Sequence, residues 1–201
     1  MSARPAILFD ERAHRYSVNG VPYPSVTQVM QRHLEDFSGI DPATLEYARI
    51  RGQHVHAAMA LLVREELDWD ALDPTLRPYI EGGRRFLEES GVTVIASECR
   101  VASVRLRLAG TLDLVAHWRN AEAVMDFKAC DVMPPSVGPQ TAAYERLYCL
   151  CYGGAERRRY CVQLKPGDYR VTPCADKNDW NIFQSALNCH QWMQRHHANA
   201  A

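Results

Sequence analysis

Two carboxylates and one amine stand close together in the middle of the chain. Asp113 closes Gly110-Thr111-Leu112-Asp113, and Asp126-Phe127-Lys128 follows shortly after. Around them, in Leu106–Trp118 and Ala123–Lys128, apolar and polar residues alternate as in β-strands, and Arg119-Asn120-Ala121-Glu122 reads as a polar turn, so the segment is expected to be a hairpin. Side chains on a strand repeat every two residues. Leu112 and Leu114 are therefore expected on one face with Asp113 on the other. Asp126 and Lys128 share a face, and Phe127 points the opposite way into a core. This hairpin can bring Asp113, Asp126 and Lys128 onto one surface. Neighbouring carboxylates repel, and burial raises their pKa. A divalent cation removes the conflict, and oxygen ligands with open positions suit Mg²⁺ or Mn²⁺. With a lysine to hold or polarise a water, such a site suits attack on a phosphodiester. Asp-x-Lys alone also reads as a salt bridge on a solvated strand face; further features, in order, tip the balance.

Those features are Arg51-Gly52-Gln53-His54-Val55-His56 in a predicted helix, Gly110–Asp113 on a strand, Asp126–Lys128 on the next, and Gln140-Thr141-Ala142-Ala143-Tyr144 in the following helix. The set resembles the PD-(D/E)XK nuclease superfamily, in particular its RecB-like, phage-type exonuclease branch. The family's motifs are a helical Gly-x-x-x-His, a strand Gly-x-x-Asp, Asp/Glu-x-Lys, and Gln-x-x-x-Tyr. His14-Arg15-Tyr16 and Pro24-Ser25-Val26-Thr27 also resemble openings of phage and prophage members, so the likeness runs from residue 14 to the middle 160s. It implies that His56, Asp113 and Asp126 bind metal with the Phe127 carbonyl as a further ligand. It also implies that Lys128 positions the nucleophilic water, that Gln140 and Tyr144 support the site or touch DNA phosphate, and that Arg51 lies on the substrate side. Members often carry a glutamate where Glu98 stands. Glu98 could join the metal or orient a ligand, or it could be a surface carboxylate paired with Arg100.

Composition sets the bounds. The 201 residues, 47% of them hydrophobic, suffice for one domain with a sizeable core. No apolar run reaches membrane-span length, and Met1–Pro5 lacks the apolar core of a signal peptide, so a cytoplasmic protein of a bacterial host cell is expected. The net charge of −1 argues against coating nucleic acid by bulk charge. A DNA path would need local basic patches: Arg100, Arg105 and Arg107, Arg84-Arg85, or Arg157–Arg159, each of which reads first as a solvated face. Seven cysteines, an odd number without Cys-x-x-Cys, argue against a disulfide framework. Some relatives of the family hold an iron–sulfur cluster with one cysteine before the motif histidine. Here none precedes Cys99, so no cluster is expected, and buried thiols are.

The elements that must position these groups can be read in order. Ile7–Phe9 and Arg15–Val18 suggest a small hairpin, with Asn19-Gly20 a further turn. Ser25 can cap a helix that buries Val26, Val29, Met30 and Leu34. Asp41-Pro42 opens a helix to about residue 66 with Val55, Met59, Leu62 and Val63 on its buried face, and His54 pointing away from His56. Gly52 in mid-helix suggests close packing there. A helix from Pro78 ends at Ser90-Gly91, and a strand runs from Val92 to Val101. Pro139 opens the helix of Gln140–Tyr152, with Ala143, Leu147 and Leu150 facing the sheet. Glu156–Leu164 and Tyr169–Thr172 form a second hairpin. A last helix, from about 177 to 195, buries Trp180, Phe183, Leu187 and Trp192, with His190, His196 and His197 on the surface or tail.

The expectation is an α/β protein with a mixed central β-sheet flanked by helices, a restriction-endonuclease-like core with a small N-terminal hairpin. One domain fills 1–201: an extension over 1–40, a core over 41–175, and a C-terminal helix and tail over 176–201. The resemblance implies a Mg²⁺- or Mn²⁺-dependent DNA exonuclease acting on single- or double-stranded ends in recombination, repair or processing. A recombination or single-strand-binding protein is a conceivable partner. The same residues fit an RNA or structure-specific endonuclease, and the fold could also serve as a non-catalytic binding module.

Overall fold

The computed structural model describes residues 6–11 and 13–197, so Met1–Pro5, where a signal peptide was sought, lie outside the described residues, as does the side chain of His197. Three short strands open the chain: β1 (Ile7–Asp10), β2 (Arg15–Val18) and β3 (Val21–Tyr23), an antiparallel sheet turned at Asn19-Gly20, both at positive φ. Helix α1 (Val26–His33) follows at once because Ser25 satisfies its first turn. Ser25 Oγ accepts the Gln28 N–H at 3.0 Å, and the Gln28 side chain accepts the Ser25 N–H at 3.0 Å. Helix α2 (Pro42–Val63) is capped by Asp41, which accepts the Thr44 N–H at 2.9 Å, and α3 (Arg77–Glu89) stops before Gly91 at φ +70°.

The main sheet is built from β4 (Thr93–Ser103), β5 (Leu108–Trp118), β6 (Ala121–Lys128), β7 (Arg158–Lys165) and β8 (Asp168–Pro173), in that spatial order. All neighbours are antiparallel except β6 and β7, and parallel strands need a long crossover. Helix α4 (Val137–Tyr152) supplies it, and α5 (Asp179–His197) closes the described chain. The sheet is therefore mixed and flanked by helices, as expected. The β5–β6 turn is tighter than expected: Arg119 and Asn120 alone make it, at φ +49° and +61°, the conformation a two-residue hairpin demands. Helix α4 begins at Val137, two residues ahead of Pro139.

Two cores fill the faces of the sheet. One packs α2 and α3 through Val55, Met59, Ile80 and Phe86 against Leu114, Met125, Phe127 and Val162. The other packs α1, α4 and α5 through Val26, Val29, Leu147, Phe183 and Leu187 against Leu112, Val115 and Val124. Leu112 and Leu114 thus go to opposite cores, contrary to simple alternation. Their ladder partners are Cys99 and Ser97, and between those stands Glu98 at φ +49°, where the regular pleat breaks. Other expectations also fail. Leu150 is 48% and Trp192 54% exposed, because the buried stripe of α4 continues through Tyr148 and Cys151 and that of α5 runs through Phe183, Leu187 and His190. His190 is consequently buried. Nothing lies within 4 Å of a methyl placed on Gly52, so no close packing explains that glycine. Among the cysteines, Cys161 and Cys174 are buried and Cys189 is exposed. No helix of the described residues is long and apolar enough to cross a membrane.

Candidate active site

Strands β5 and β6 pair from the turn as far as Leu114 and Met125 and then part. Beyond that point the Phe127 N–H is bonded by a side chain: Asp113 Oδ2 accepts it at 2.8 Å. The acid thus fills the opening between the strands. From below, the buried stripe of α2 (Val55, Met59) seats the helix on the sheet and brings His56 to the same carboxylate, Nδ1 to Oδ1 3.1 Å. On β6, Asp126 is 2% exposed and Lys128 Nζ stands 2.7 Å from its Oδ2. That oxygen receives no well-formed hydrogen bond from the described residues, so the ammonium neutralises it by charge. Phe127 points into the opposite core, as alternation requires. His56, Asp113, Asp126 and Lys128 therefore converge.

The electrostatics follow from burial and proximity. Burial pushes the Asp113 carboxyl up, but His56, Lys128 and the Phe127 N–H together hold it below the usual range. Burial lowers the His56 imidazole, and Asp113 more than reverses this. Burial also opposes charge on Lys128, yet Asp126 and Asp113 hold its ammonium well above the ordinary lysine range. Lys128 is a fixed cation and not a proton acceptor. Glu98 lies between Ser97 and Cys99, the ladder partners of Leu114 and Leu112, level with Asp113, and burial followed by the Asp113 charge pushes it up to about 7. It does not pair with Arg100, which lies 3.9 Å from Glu11 instead.

The strand motif is occupied at every position. A methyl on Gly110 would come within 2.8 Å of Tyr144 Cε1, so only glycine admits that ring. Thr111 Oγ1 lies 2.8 Å from the Tyr16 hydroxyl. Leu112 packs into the α4 core, and Asp113 is the acid. Tyr144 is buried with its hydroxyl facing the acids. Burial, then Asp126 and Asp113, raise it far above the usual phenol, and Gln140, also buried, hydrogen-bonds to it. Arg51 reaches the loop after Lys128, donating to the Ala129 carbonyl at 3.3 Å beneath the Tyr79 ring, and its Nε is buried without a partner among the described residues. Gln163, paired with Lys128 across the parallel strands, donates to the Cys130 and Asp131 carbonyls at 2.7 and 2.9 Å and fixes that loop. Sequence reasoning gave Tyr16, Thr111 and Gln163 no role in the site. The signal for Gln163 was a lone amide inside the apolar run Tyr160–Leu164.

The donor set suits a hard divalent ion in type: two carboxylates, one of them buried against an ammonium, beside an imidazole. The expected three-ligand set is not preassembled. Among the described residues no three His, Cys, Asp or Glu side chains stand in metal-holding geometry, since His56 is spent on Asp113. The acids are the part of the set that fits. A cavity of about 640 Å³ lies elsewhere, at the other end of β7, lined by Arg157–Tyr160, Cys174 and Lys177. Two of its arginines are not a solvated basic face: Arg157 pairs with Glu122 at 2.8 Å and Arg159 with buried Asp179 at 2.9 Å. Arg84 is exposed and Arg85 half-buried, and they pair with Glu88 and Glu89.

Fold and site together define an α/β protein with an acid–lysine–histidine cluster where two central strands diverge. No family model and no curated protein matches the chain. Among solved structures it is similar to an alkaline exonuclease (LHK-Exo) from Laribacter hongkongensis, at 12% identity and TM-score 0.39 over 89% of this chain and 95% of that one. It is also similar to the protein SSO0001, at 12% identity and TM-score 0.35 over 70% and 73%.

Proposed function

We propose that the protein is a divalent-metal-dependent DNA nuclease, an exonuclease of the phage or prophage type that hydrolyses phosphodiester bonds at DNA ends in recombination, repair or processing. The observation that carries this reading is the convergence of His56, Asp113, Asp126 and Lys128 in the gap between β5 and β6. Asp113 and Asp126, with His56 and the Phe127 carbonyl, would hold Mg²⁺ or Mn²⁺, which supplies Lewis acidity toward the phosphoryl oxygens and lowers the pKa of water. Lys128, locked as a cation, donates to and orients the attacking water and stabilises negative charge developing at phosphorus. Glu98, near 7, is a carboxyl able to exchange a proton at neutral pH. The burial of Gln140 and Tyr144 supports a bracing role over direct contact with DNA. Arg51, whose guanidinium donates to the Ala129 carbonyl in the loop after Lys128, is a cation at the edge of the site that a phosphate could meet.

The test is cleavage of end-labelled linear single- and double-stranded DNA beside closed circular DNA, with EDTA, Mg²⁺ or Mn²⁺. Linear DNA is expected to be lost only with metal. Lys128→Ala is expected to reduce the rate about 10²–10³-fold, on the order of a lost transition-state contact, while keeping its far-ultraviolet dichroism. The fold tolerates that change because Asp126, already pushed up by burial, can take a proton when the ammonium is removed. Wild-type rates in folded Lys128→Ala would refute the mechanism, cutting of circles would make it an endonuclease, and binding without cutting would favour a non-catalytic module.

A further inference from the structure

The N-terminal sheet sends a residue into the site. Tyr16 on β2 is 4% exposed, and its hydroxyl lies 2.8 Å from Thr111 Oγ1, a contact spanning 95 residues of chain. Its ring is stacked on Phe9 at 4.5 Å, which fixes the direction of the hydroxyl. A further contact holds this edge of the chain to the same strand: the Ala109 N–H donates to the Pro24 carbonyl at 3.1 Å, part of the parallel bridge between Ser25 and Ala109. Thr111 lies two residues before Asp113 on β5, where the pleat is irregular opposite Glu98. At such a break the backbone does not by itself define where a side chain points. The negative charges of Glu98 and Asp113 both act on the Tyr16 phenol, so it belongs to the same electrostatic neighbourhood. Tyr144 braces Gly110 from α4, and Tyr16 braces Thr111 from the opposite element.

We propose that Tyr16 is a positioning residue of the site: by pinning Thr111, two residues before Asp113, it fixes the stretch of β5 that presents Asp113 to His56 and the Phe127 N–H, so the N-terminal sheet is part of the site's support. The proposal rests on the nuclease reading, since it takes Asp113 as a metal ligand. Groups hydrogen-bonded directly to a ligand typically govern about 10–100-fold in metal affinity, and Tyr16, one contact further out, is expected at the low end.

The experiment is Mn²⁺ titration of the full chain by calorimetry, beside the Mn²⁺ concentration that gives half-maximal DNA cleavage, for wild type, Tyr16→Phe, Thr111→Val, the double variant and Thr111→Ser. Tyr16→Phe keeps the stacked ring and loses only the hydroxyl. Tyr16→Phe and Thr111→Val are each expected to weaken Mn²⁺ binding about 10-fold and raise the half-maximal concentration to match. The double variant should be no worse than either, and Thr111→Ser, which keeps the hydroxyl, should behave as wild type. Unchanged Mn²⁺ affinity in folded Tyr16→Phe and Thr111→Val, with wild-type cleavage intact, overturns the proposal and leaves the nuclease reading standing. Losses that add in the double variant overturn it too, because they mean that the groups act separately. A wild-type chain that neither binds Mn²⁺ nor cuts DNA removes the nuclease reading and the proposal together.

Discussion

Glu98 shows how one residue can couple fold to chemistry. It stands at positive φ on β4, level with Asp113, half-buried, with its pKa raised to about 7. In the unfolded chain the same carboxyl titrates near 4.5. Between those values the unfolded state has released a proton that the folded state retains, so stability falls as pH rises from about 4.5 to 7 and levels off above. Glu98→Gln abolishes that fall. In metal-free buffer the variant is expected to melt higher than wild type at pH 8 by about 1–2 kcal/mol after allowance for solvent screening, and to match it at low pH. Thermal melts across the range would show it, and parallel curves for the two proteins would mean that burial and the Asp113 charge do not raise Glu98 in the folded protein.

At the scale of elements, α1 illustrates how a short helix is made obligatory. It spans only Val26–His33, too short to persist alone. Its start is secured by the reciprocal Ser25–Gln28 bonds, and its inner face by Val26, Val29 and Met30. Ser25 itself is 2% exposed and bridges to β5. Ser25→Ala is expected to cost about 1 kcal/mol in denaturant unfolding, because the Gln28 N–H loses its acceptor. A loss below about 0.3 kcal/mol would mean that water replaces the cap. Helix α4 works differently: as the crossover between parallel strands it is positioned by topology, and it carries Gln140 and Tyr144 over the acids.

For the whole molecule, the site is a concentration of buried charge that the fold must tolerate. Asp113 and Asp126 are held by one imidazole and one ammonium. An ion that binds only the native state stabilises it by mass action, about 2.7 kcal/mol at a hundred times its dissociation constant. Mn²⁺ is therefore expected to raise the melting temperature, EDTA to reverse the rise, and Asp126→Asn to eliminate the response. A melting temperature indifferent to Mn²⁺ would count against a metal at these acids. With a net charge of −1, a nucleic-acid substrate would have to be held by local cations, and six arginines are already paired, with Glu46, Glu66, Glu88, Glu89, Glu122 and Asp179.

The sequence by itself determined what local chemistry can encode: the caps at Ser25 and Asp41, the stop at Gly91, the hairpin around Arg119, and the shared face of Asp126 and Lys128. Each follows from groups within a few residues of one another. The order of the motifs also placed His56, Asp113, Asp126 and Lys128 in one candidate site before any geometry was known. Only the tertiary structure decided the rest. Alternation could not foresee that Leu112 and Leu114 serve different cores, because the irregularity lies on the neighbouring strand at Glu98. Periodicity placed the stripes of α4 and α5 slightly wrong at Leu150, His190 and Trp192, since the helix pattern allows two adjacent stripes and packing selects one. Tyr16 and Thr111, 95 residues apart, meet because two sheets are docked, and long-range docking leaves no local trace in a single chain.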